Sequence, residues 1–156
     1  MIQRPPLLPR NAVRLGFLGL APLVISALVT LSGEYQTARL GALSFSLYAA
    51  ALLSFLGGVR CGIEITRDPQ HPNGRRLLFS AAPALSGWAL ALFVTATGLF
   101  GTASAFAGLF AAQYVWDHRS GEVGAPNWYP LLRQVLTGGA MIACMILPMA
   151  TLLRRI

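Results

Sequence analysis

Residues 52–76 decide the fold class, and they read LLSFLGGVRCGIEITRDPQHPNGRR. The segment begins with Leu, Phe and Gly, which suit a helix in lipid, and ends with residues typical of an exposed loop. Arg60 and Glu64 lie at the transition, one helical turn apart, where they can form an ion pair. The segment therefore predicts the end of a membrane-spanning helix that carries charge where hydrocarbon meets water.

The composition of the whole chain also favours a membrane protein. Of its 156 residues, 55% are hydrophobic and 11% are charged, and the mean hydropathy is +0.61. These values exceed what a soluble domain needs to fill one core. We therefore expect one integral membrane domain over residues 1–156.

Five apolar stretches are long enough, or nearly so, to cross a bilayer. A hydrocarbon core about 30 Å thick needs roughly 20 helical residues at about 1.5 Å each. No alternation of apolar and polar residues indicates membrane strands, so we predict an all-α, five-helix transmembrane bundle. The predicted helices cover residues 12–31, 40–64, 77–97, 99–117 and 132–153. An uncharged turn at residues 98–101 is expected to join the third and fourth helices as a close antiparallel hairpin.

The arginines predict the orientation of this bundle. The formal net charge is +7, and all 12 basic residues are arginines. One side of a five-helix chain would hold Arg4, Arg10, Arg14, Arg60, Arg67, Arg75, Arg76, Arg119 and Arg133, and the other Arg39, Arg154 and Arg155. Cytoplasmic loops carry an excess of arginine, so we expect the N-terminus to be cytoplasmic and the C-terminus outside. The same pattern favours contact with the lipid bilayer over a nucleic-acid surface.

The first apolar run has basic residues before it, as a signal peptide would. Its apolar region is long, however, and it lacks an A-x-A-like cleavage site. We therefore expect a retained first helix.

Helix 2 carries a small residue at every fourth position. These residues are Ser46, Ala50, Ser54, Gly58 and Gly62. Such spacing lets a second helix approach closely enough for backbone contact, which makes Ser54, Gly58 and Gly62 candidate helix-packing residues. Two interpretations stay open: contact with another helix of the same chain, and a seam for a second copy or another membrane protein.

A polar cluster is predicted where three helices end on the arginine-rich side. Asp117 ends helix 4 and Arg133 begins helix 5, so each opposes the local helix dipole. Pairing of Asp117 with Arg133, or with Arg60, would offset this misfit and join the helices. The candidate ligand-binding residues are Arg60, Glu64, Asp117, Trp128, Tyr129 and Arg133. The alternative is that these residues only anchor the protein in the membrane. Trp and Tyr favour membrane interfaces, and surface ion pairs contribute little to stability.

Several chemistries lack the residues they need. His71 and His118 are both expected in loops, so no pair of helix histidines can hold a haem. Cys61 and Cys144 lie in different apolar runs without CxxC spacing, which predicts neither a disulfide nor a metal site. There is no Walker loop, no HExxH and no nucleophile beside a base, and acidic residues fall only at helix ends or in loops. We expect no cofactor, no metal, no ion pumping, no nucleic-acid partner and no enzymatic activity.

Two segments resemble a known family: LYAAALLSFLGGVRCG (residues 47–62) and PNWYPLLRQVLT (residues 126–137). They are similar to small multi-pass proteins of the transmembrane protein 69 type, called domain of unknown function 3429. The matching positions are Ser54, Phe55, Leu56, Gly57, Gly58, Arg60, Gly62, Trp128, Tyr129, Leu132, Arg133, Leu136 and Thr137. Cys61 stands where the family pattern has tryptophan. The resemblance implies a protein of the bacterial inner (cytoplasmic) membrane and brings no activity, cofactor or catalytic residue.

Two functional hypotheses from different classes follow. The first is a non-enzymatic accessory or assembly subunit of a membrane complex, which uses the helix 2 stripe or the cytoplasmic arginines for docking. The second is a binder or carrier of an anionic lipid or small amphiphile, with Arg60 and Arg133 on the head group and Trp128 and Tyr129 over the apolar part. An open cleft above the charged cluster would favour the binder. A filled bundle with an outward stripe would favour the subunit.

Overall fold

The structure is a computed structural model that describes residues 8–119 and 126–153. Within those ranges every regular element is a helix, in agreement with the predicted all-α class. The helices are α1 (Arg10–Val29), α2 (Tyr35–Arg67), α3 (Gly74–Ser80), α4 (Ala82–Leu92), α5 (Val94–Arg119) and α6 (Tyr129–Leu153). Arg4, Arg154 and Arg155, which entered the arginine comparison, lie outside the described residues.

Four segments of the described chain are long and apolar enough to cross a membrane: Arg10–Val29, Tyr35–Arg67, Gly98–Arg119 and Tyr129–Leu152. They correspond to the predicted first, second, fourth and fifth helices, with ends shifted by a few residues. The second has 33 residues, which at about 1.5 Å each gives roughly 50 Å, well over the roughly 30 Å hydrocarbon core. Such a helix extends beyond the hydrocarbon and can carry charge at its end without leaving helical structure.

The predicted third helix, residues 77–97, is divided in the structure. α3 ends at Ser80 and α4 spans only Ala82–Leu92, so neither part is long enough to cross a bilayer alone. Pro83 has no backbone N–H, and its ring conflicts with a carbonyl four residues earlier. The carbonyl oxygen of Ser80 lies against Gly57 of α2, where any side chain would collide with it. The prediction of one continuous helix over residues 77–97 was wrong.

The turn predicted at residues 98–101 is shorter than expected. α4 ends at Leu92 with Phe93 as its C-cap, and α5 begins at Val94. Inside α5 the backbone is non-helical at Gly98, whose φ is 66° and ψ 173°. Positive φ favours glycine, which explains the residue type at this position. Phe79 of α3 meets Trp116 near the end of α5, with ring centroids 5.3 Å apart. The α3–α4 segment and α5 therefore run antiparallel, as expected for a hairpin.

Helices α1, α2, α5 and α6 form a closed ring, and α4 packs outside it against α2 and α5. The centre of the ring is apolar: Phe45 of α2 and Phe106 of α5 are fully buried and meet edge to face, at 6.2 Å and 82°. Aromatic pairs in this geometry add about 0.5–1.5 kcal/mol beyond their burial. The ring places the ends of α2 and α5 and the starts of α1 and α6 at one end of the bundle.

The small residues spaced four apart on α2 differ in burial. Ser46 is 1% exposed, whereas Ser54, Gly58 and Gly62 are all exposed. A repeat of four residues drifts by about 40° per step on a helix with 3.6 residues per turn, so the stripe winds out of the bundle. A Cβ on Gly58 or Gly62 would meet nothing within 4 Å. The intramolecular interpretation therefore fails for these residues, since Gly57 makes the close helix contact instead, while the partner seam stays a prediction.

Candidate functional site

Three helix ends meet at a charged cluster formed by Arg60, Asp117 and Arg133. Nε of Arg133 donates to Oδ2 of Asp117 at 2.9 Å. Nε of Arg60 lies 4.0 Å from Oδ1 of the same carboxylate. The side chains are only 15%, 11% and 7% exposed for Arg60, Asp117 and Arg133. The pairing predicted across α2, α5 and α6 is thus present, and it is largely shielded from solvent.

Two polar residues outside the predicted set of ligand-binding residues complete the cluster. Nε2 of Gln113 donates to Oδ1 of Asp117 at 3.2 Å, and Nη1 of Arg133 donates to Oγ1 of Thr137 at 3.3 Å. Gln113 and Thr137 are both buried, at 5% and 8% exposed. Each lies four residues from its partner on the same helix face, and that spacing was the signal available in the sequence.

Glu64 is the predicted site residue that the structure places elsewhere. Its Oε2 accepts from Nη1 of Arg76 at 3.4 Å, and this pair takes the place of the expected pair with Arg60. The exchange follows from α3, which the sequence analysis did not begin until residue 77. Asn73 caps this helix by accepting from the backbone N–H groups of Arg75 and Arg76 at 3.1 and 3.3 Å, and so orients Arg76 toward α2.

One atom of the cluster is left without a partner. Arg133 is 6% exposed, and its Nη2 is buried with no hydrogen-bond partner among the described residues. A buried donor left unsatisfied costs about 1–3 kcal/mol, and more when it is charged. An anionic oxygen placed at Nη2 would remove this cost.

A polar vestibule of about 540 Å³ borders Arg133. We use this name for the cavity lined by Arg60, Tyr114, Asp117, His118, Asn127, Tyr129, Arg133 and Gln134, together with Ile63, Pro130 and Leu131. Tyr114 and His118 stack with ring centroids 6.2 Å apart. The vestibule thus presents both hydrogen-bond donors and acceptors at the end of the bundle.

An apolar groove of about 580 Å³ also borders Arg133, and it is lined mainly by α1, α2 and α6. It is lined mainly by Leu, Gly, Ala and Phe, including Leu15, Gly19, Leu20, Leu52, Phe55 and Leu136. Trp128, Tyr129 and Arg133 form its polar end, and the Trp128 and Tyr129 rings meet edge to face at 6.4 Å. The predicted aromatic pair is therefore close to the predicted arginine.

The two histidines differ in position. His118 was expected in a loop, but α5 continues to Arg119 and places it in the last helical turn, facing the vestibule. His71 lies in the loop after α2, where its backbone N–H donates to Oδ1 of Asp68 at 3.0 Å. Within residues 8–119 and 126–153, no three His, Cys, Asp or Glu side chains lie together in a way that could hold a metal ion.

A helical bundle with four bilayer-length apolar segments and a buried charged cluster at one end defines a multi-pass membrane protein. A family model described as "Protein of unknown function (DUF3429)" matches residues 8–149, and the chain belongs to that family. This confirms the resemblance predicted from the two motifs.

The chain is also similar to the Xenopus tropicalis protein named "Transmembrane protein 69", with 39% identity over 87 residues. The match covers 54% of this chain and 34% of the Xenopus protein, so the chain spans about a third of that relative. No solved structure matches the chain.

Proposed function

We propose that the protein is a non-enzymatic binder of an anionic amphiphile in the bacterial inner membrane. The observation that carries this proposal is the buried Nη2 of Arg133, which lacks a partner among the described residues. It belongs to a side chain that lines both the polar vestibule and the apolar groove. A ligand with a negative group beside an apolar chain would satisfy both environments.

The proposed topology has five crossings, with the N-terminus cytoplasmic and the C-terminus outside. α3 and α4 together cover residues 74–92, a length of about 28 Å at 1.5 Å per residue, close to the hydrocarbon thickness. In this topology the vestibule and most arginines lie on the cytoplasmic side. That placement agrees with the preference of arginine for cytoplasmic loops.

The proposal of binding without catalysis rests on the chemistry of the cluster. Asp117 is held by Gln113 and Arg133, and the arginine beside it is a permanent cation. Such a set can hold and orient an anion but supplies no activated nucleophile. Binding or carriage is thus the function that these residues serve best.

Native mass spectrometry of the full chain, released gently from its own membrane, tests the proposal. We expect a defined anionic amphiphile that stays with the wild-type protein and is lost in Arg133→Ala. Arg67→Ala is the matched control, because Arg67 is exposed at the same end of the bundle and lines neither cavity. Equal amphiphile content in all three proteins would refute the proposal.

A second candidate function is that of an accessory or assembly subunit. The outward position of Ser54, Gly58 and Gly62 on α2 favours it, because small residues on a lipid-facing surface let a partner helix approach closely. Gly58→Leu would then weaken association with a membrane-protein partner or a second copy, as seen by native electrophoresis. Gly138→Leu is the control, because Gly138 is equally open and lies on α6. Unchanged association in Gly58→Leu would exclude this seam.

A further inference from the structure

The residues shared by the two cavities indicate which class of ligand the site binds. Tyr129 and Arg133 line both the polar vestibule and the apolar groove. Arg133 therefore borders both a polar and an apolar space. In a phospholipid, the charged phosphate likewise lies between a polar head alcohol and the apolar acyl chains.

Building on the proposed function, we infer that the site takes a monoanionic phospholipid with an uncharged, hydroxyl-bearing head group. Its phosphodiester contacts Arg133, one acyl chain occupies the apolar groove, and the rest of the head group enters the polar vestibule. The second acyl chain remains in the bilayer.

The length of the groove fits an acyl chain of one leaflet. Along α2 its lining runs from Tyr48 to Val59, a rise of about 16 Å at 1.5 Å per residue, close to half of the roughly 30 Å hydrocarbon core. The hydroxyl of Tyr48 already donates to the carbonyl of Gly19 at 2.6 Å. Away from its Arg133 end the groove therefore presents a surface suited to hydrocarbon.

The groove is accessible from the bilayer. Leu15 and Phe55, which line it on α1 and α2, are 70% and 63% exposed. Both lie on the outer surface of the ring, where lipid chains surround a membrane protein. A lipid can thus enter sideways without passing through the core.

The charge of the cluster sets the charge of the ligand. Arg60 and Arg133 face the single carboxylate of Asp117, which leaves a formal charge of +1. Glu64 is paired with Arg76 and does not alter this balance. A phosphodiester carries one negative charge and neutralises the cluster, whereas a dianionic head group would bring a second charge without a partner cation there.

The polar lining of the vestibule is the reason to infer a hydroxyl-bearing head group. Asn127, Gln134 and His118 line it beyond Arg133 and offer hydrogen-bond donors and acceptors. A fatty acid ends at its carboxylate and would leave these groups without ligand contacts. A phosphodiester continues past its charge and can fill the same space with hydroxyls.

The test is competitive native mass spectrometry of the full chain in detergent micelles. The probes are equimolar dioleoyl phosphatidylglycerol, dioleoyl phosphatidylethanolamine, dioleoyl phosphatidic acid and oleate. Arg133→Gln removes the charge, and Gly19→Leu fills the groove from a position where a Cβ would meet nothing within 4 Å. Arg67→Gln and Gly138→Leu are the matched controls, since neither residue lines the vestibule or the groove.

We expect one phosphatidylglycerol per wild-type chain and per control chain. The fraction bound should fall about tenfold or more in Arg133→Gln, as expected for loss of a hydrogen bond to a charged group. The fraction bound by Gly19→Leu should fall similarly. This variant leaves the Arg133–Asp117 pair intact, so it tests the inference even if Arg133→Gln unfolds.

Four results would overturn the inference. Unchanged phosphatidylglycerol binding in Gly19→Leu would show that no acyl chain occupies the groove. Preference for phosphatidylethanolamine or phosphatidic acid would show that the site does not select a monoanionic head group. Retention of oleate instead, dependent on Arg133, would refute the phospholipid and leave the proposed function standing. Binding of every probe independent of Arg133 would refute both.

Discussion

Arg133 and Asp117 join the start of α6 to the end of α5 through a 2.9 Å hydrogen bond between Nε and Oδ2. Both side chains are largely buried, at 7% and 11% exposed. Removal of one member of a buried pair leaves an uncompensated charge, which costs about 3–5 kcal/mol. This contact is therefore both the structural tie of the site and the reason why Arg133 has a fixed orientation.

A double-mutant cycle measures the coupling in this pair. We expect Asp117→Asn and Arg133→Gln each to lower the free energy of unfolding by about 2–4 kcal/mol, because each removes one charge of a buried ion pair. The loss is smaller than for an isolated pair, since Asp117 keeps Gln113 and Arg60 as neighbours. Arg133 likewise keeps Thr137. The double variant should lose at least about 1 kcal/mol less than the sum of the two. Thermal and denaturant unfolding in one detergent provides the measurement. Additive losses would show that the two residues act independently.

Neighbouring glycines on α2 should respond in opposite ways to the same substitution. Gly57→Ala should destabilise the protein by about 1–3 kcal/mol, because its Cβ would collide with the Ser80 carbonyl and force α3–α4 away from α2. Gly58→Ala should be neutral or stabilising by up to about 1 kcal/mol, since alanine favours helix and the space around Gly58 is open. Unfolding in detergent measures both. Equal effects would contradict the close contact at Gly57.

The proposed topology predicts opposite labelling of two loop positions. In a background with Cys61→Ser and Cys144→Ala, Gly33→Cys should react with an impermeant maleimide in intact cells, because this topology places the loop after α1 on the outside. Gln70→Cys should react only after the membrane is opened. Both positions are exposed in the structure, so any difference reports the side of the membrane. Labelling of Gln70→Cys in intact cells would reverse the orientation.

Features set by local sequence were predictable, and features set by helix neighbours were not. The positions of α1, α2 and α6, with ends shifted by a few residues, follow from apolar runs, and the Asp117–Arg133 pair follows from charges at adjoining helix ends. The division between α3 and α4 depends on Pro83 and on contact with Gly57, and the second of these is visible only in three dimensions. The pairing of Glu64 with Arg76 likewise depends on where α3 begins.

The apolar groove illustrates the same limit. Its walls come mainly from α1, α2 and α6, and most of its lining residues are ordinary Leu, Gly, Ala or Phe residues of apolar runs. Nothing in the spacing of these residues distinguishes them from others that face lipid. Only the order of helices around the ring places Gly19 and Leu136 on the same cavity as Arg133.

Binding of lipid at Arg133 can be followed most directly through the fluorescence of Trp128, which lines the groove. The chain has 3 tryptophans, so Trp88→Phe and Trp116→Phe leave Trp128 as the single reporter. Phosphatidylglycerol with brominated acyl chains is added to protein in bilayers of unbrominated phosphatidylcholine. We predict saturable quenching at a low proportion of brominated lipid, which Arg133→Gln abolishes and Arg67→Gln retains. Quenching that rises in proportion to the brominated lipid in all three proteins would show that Arg133 holds no lipid.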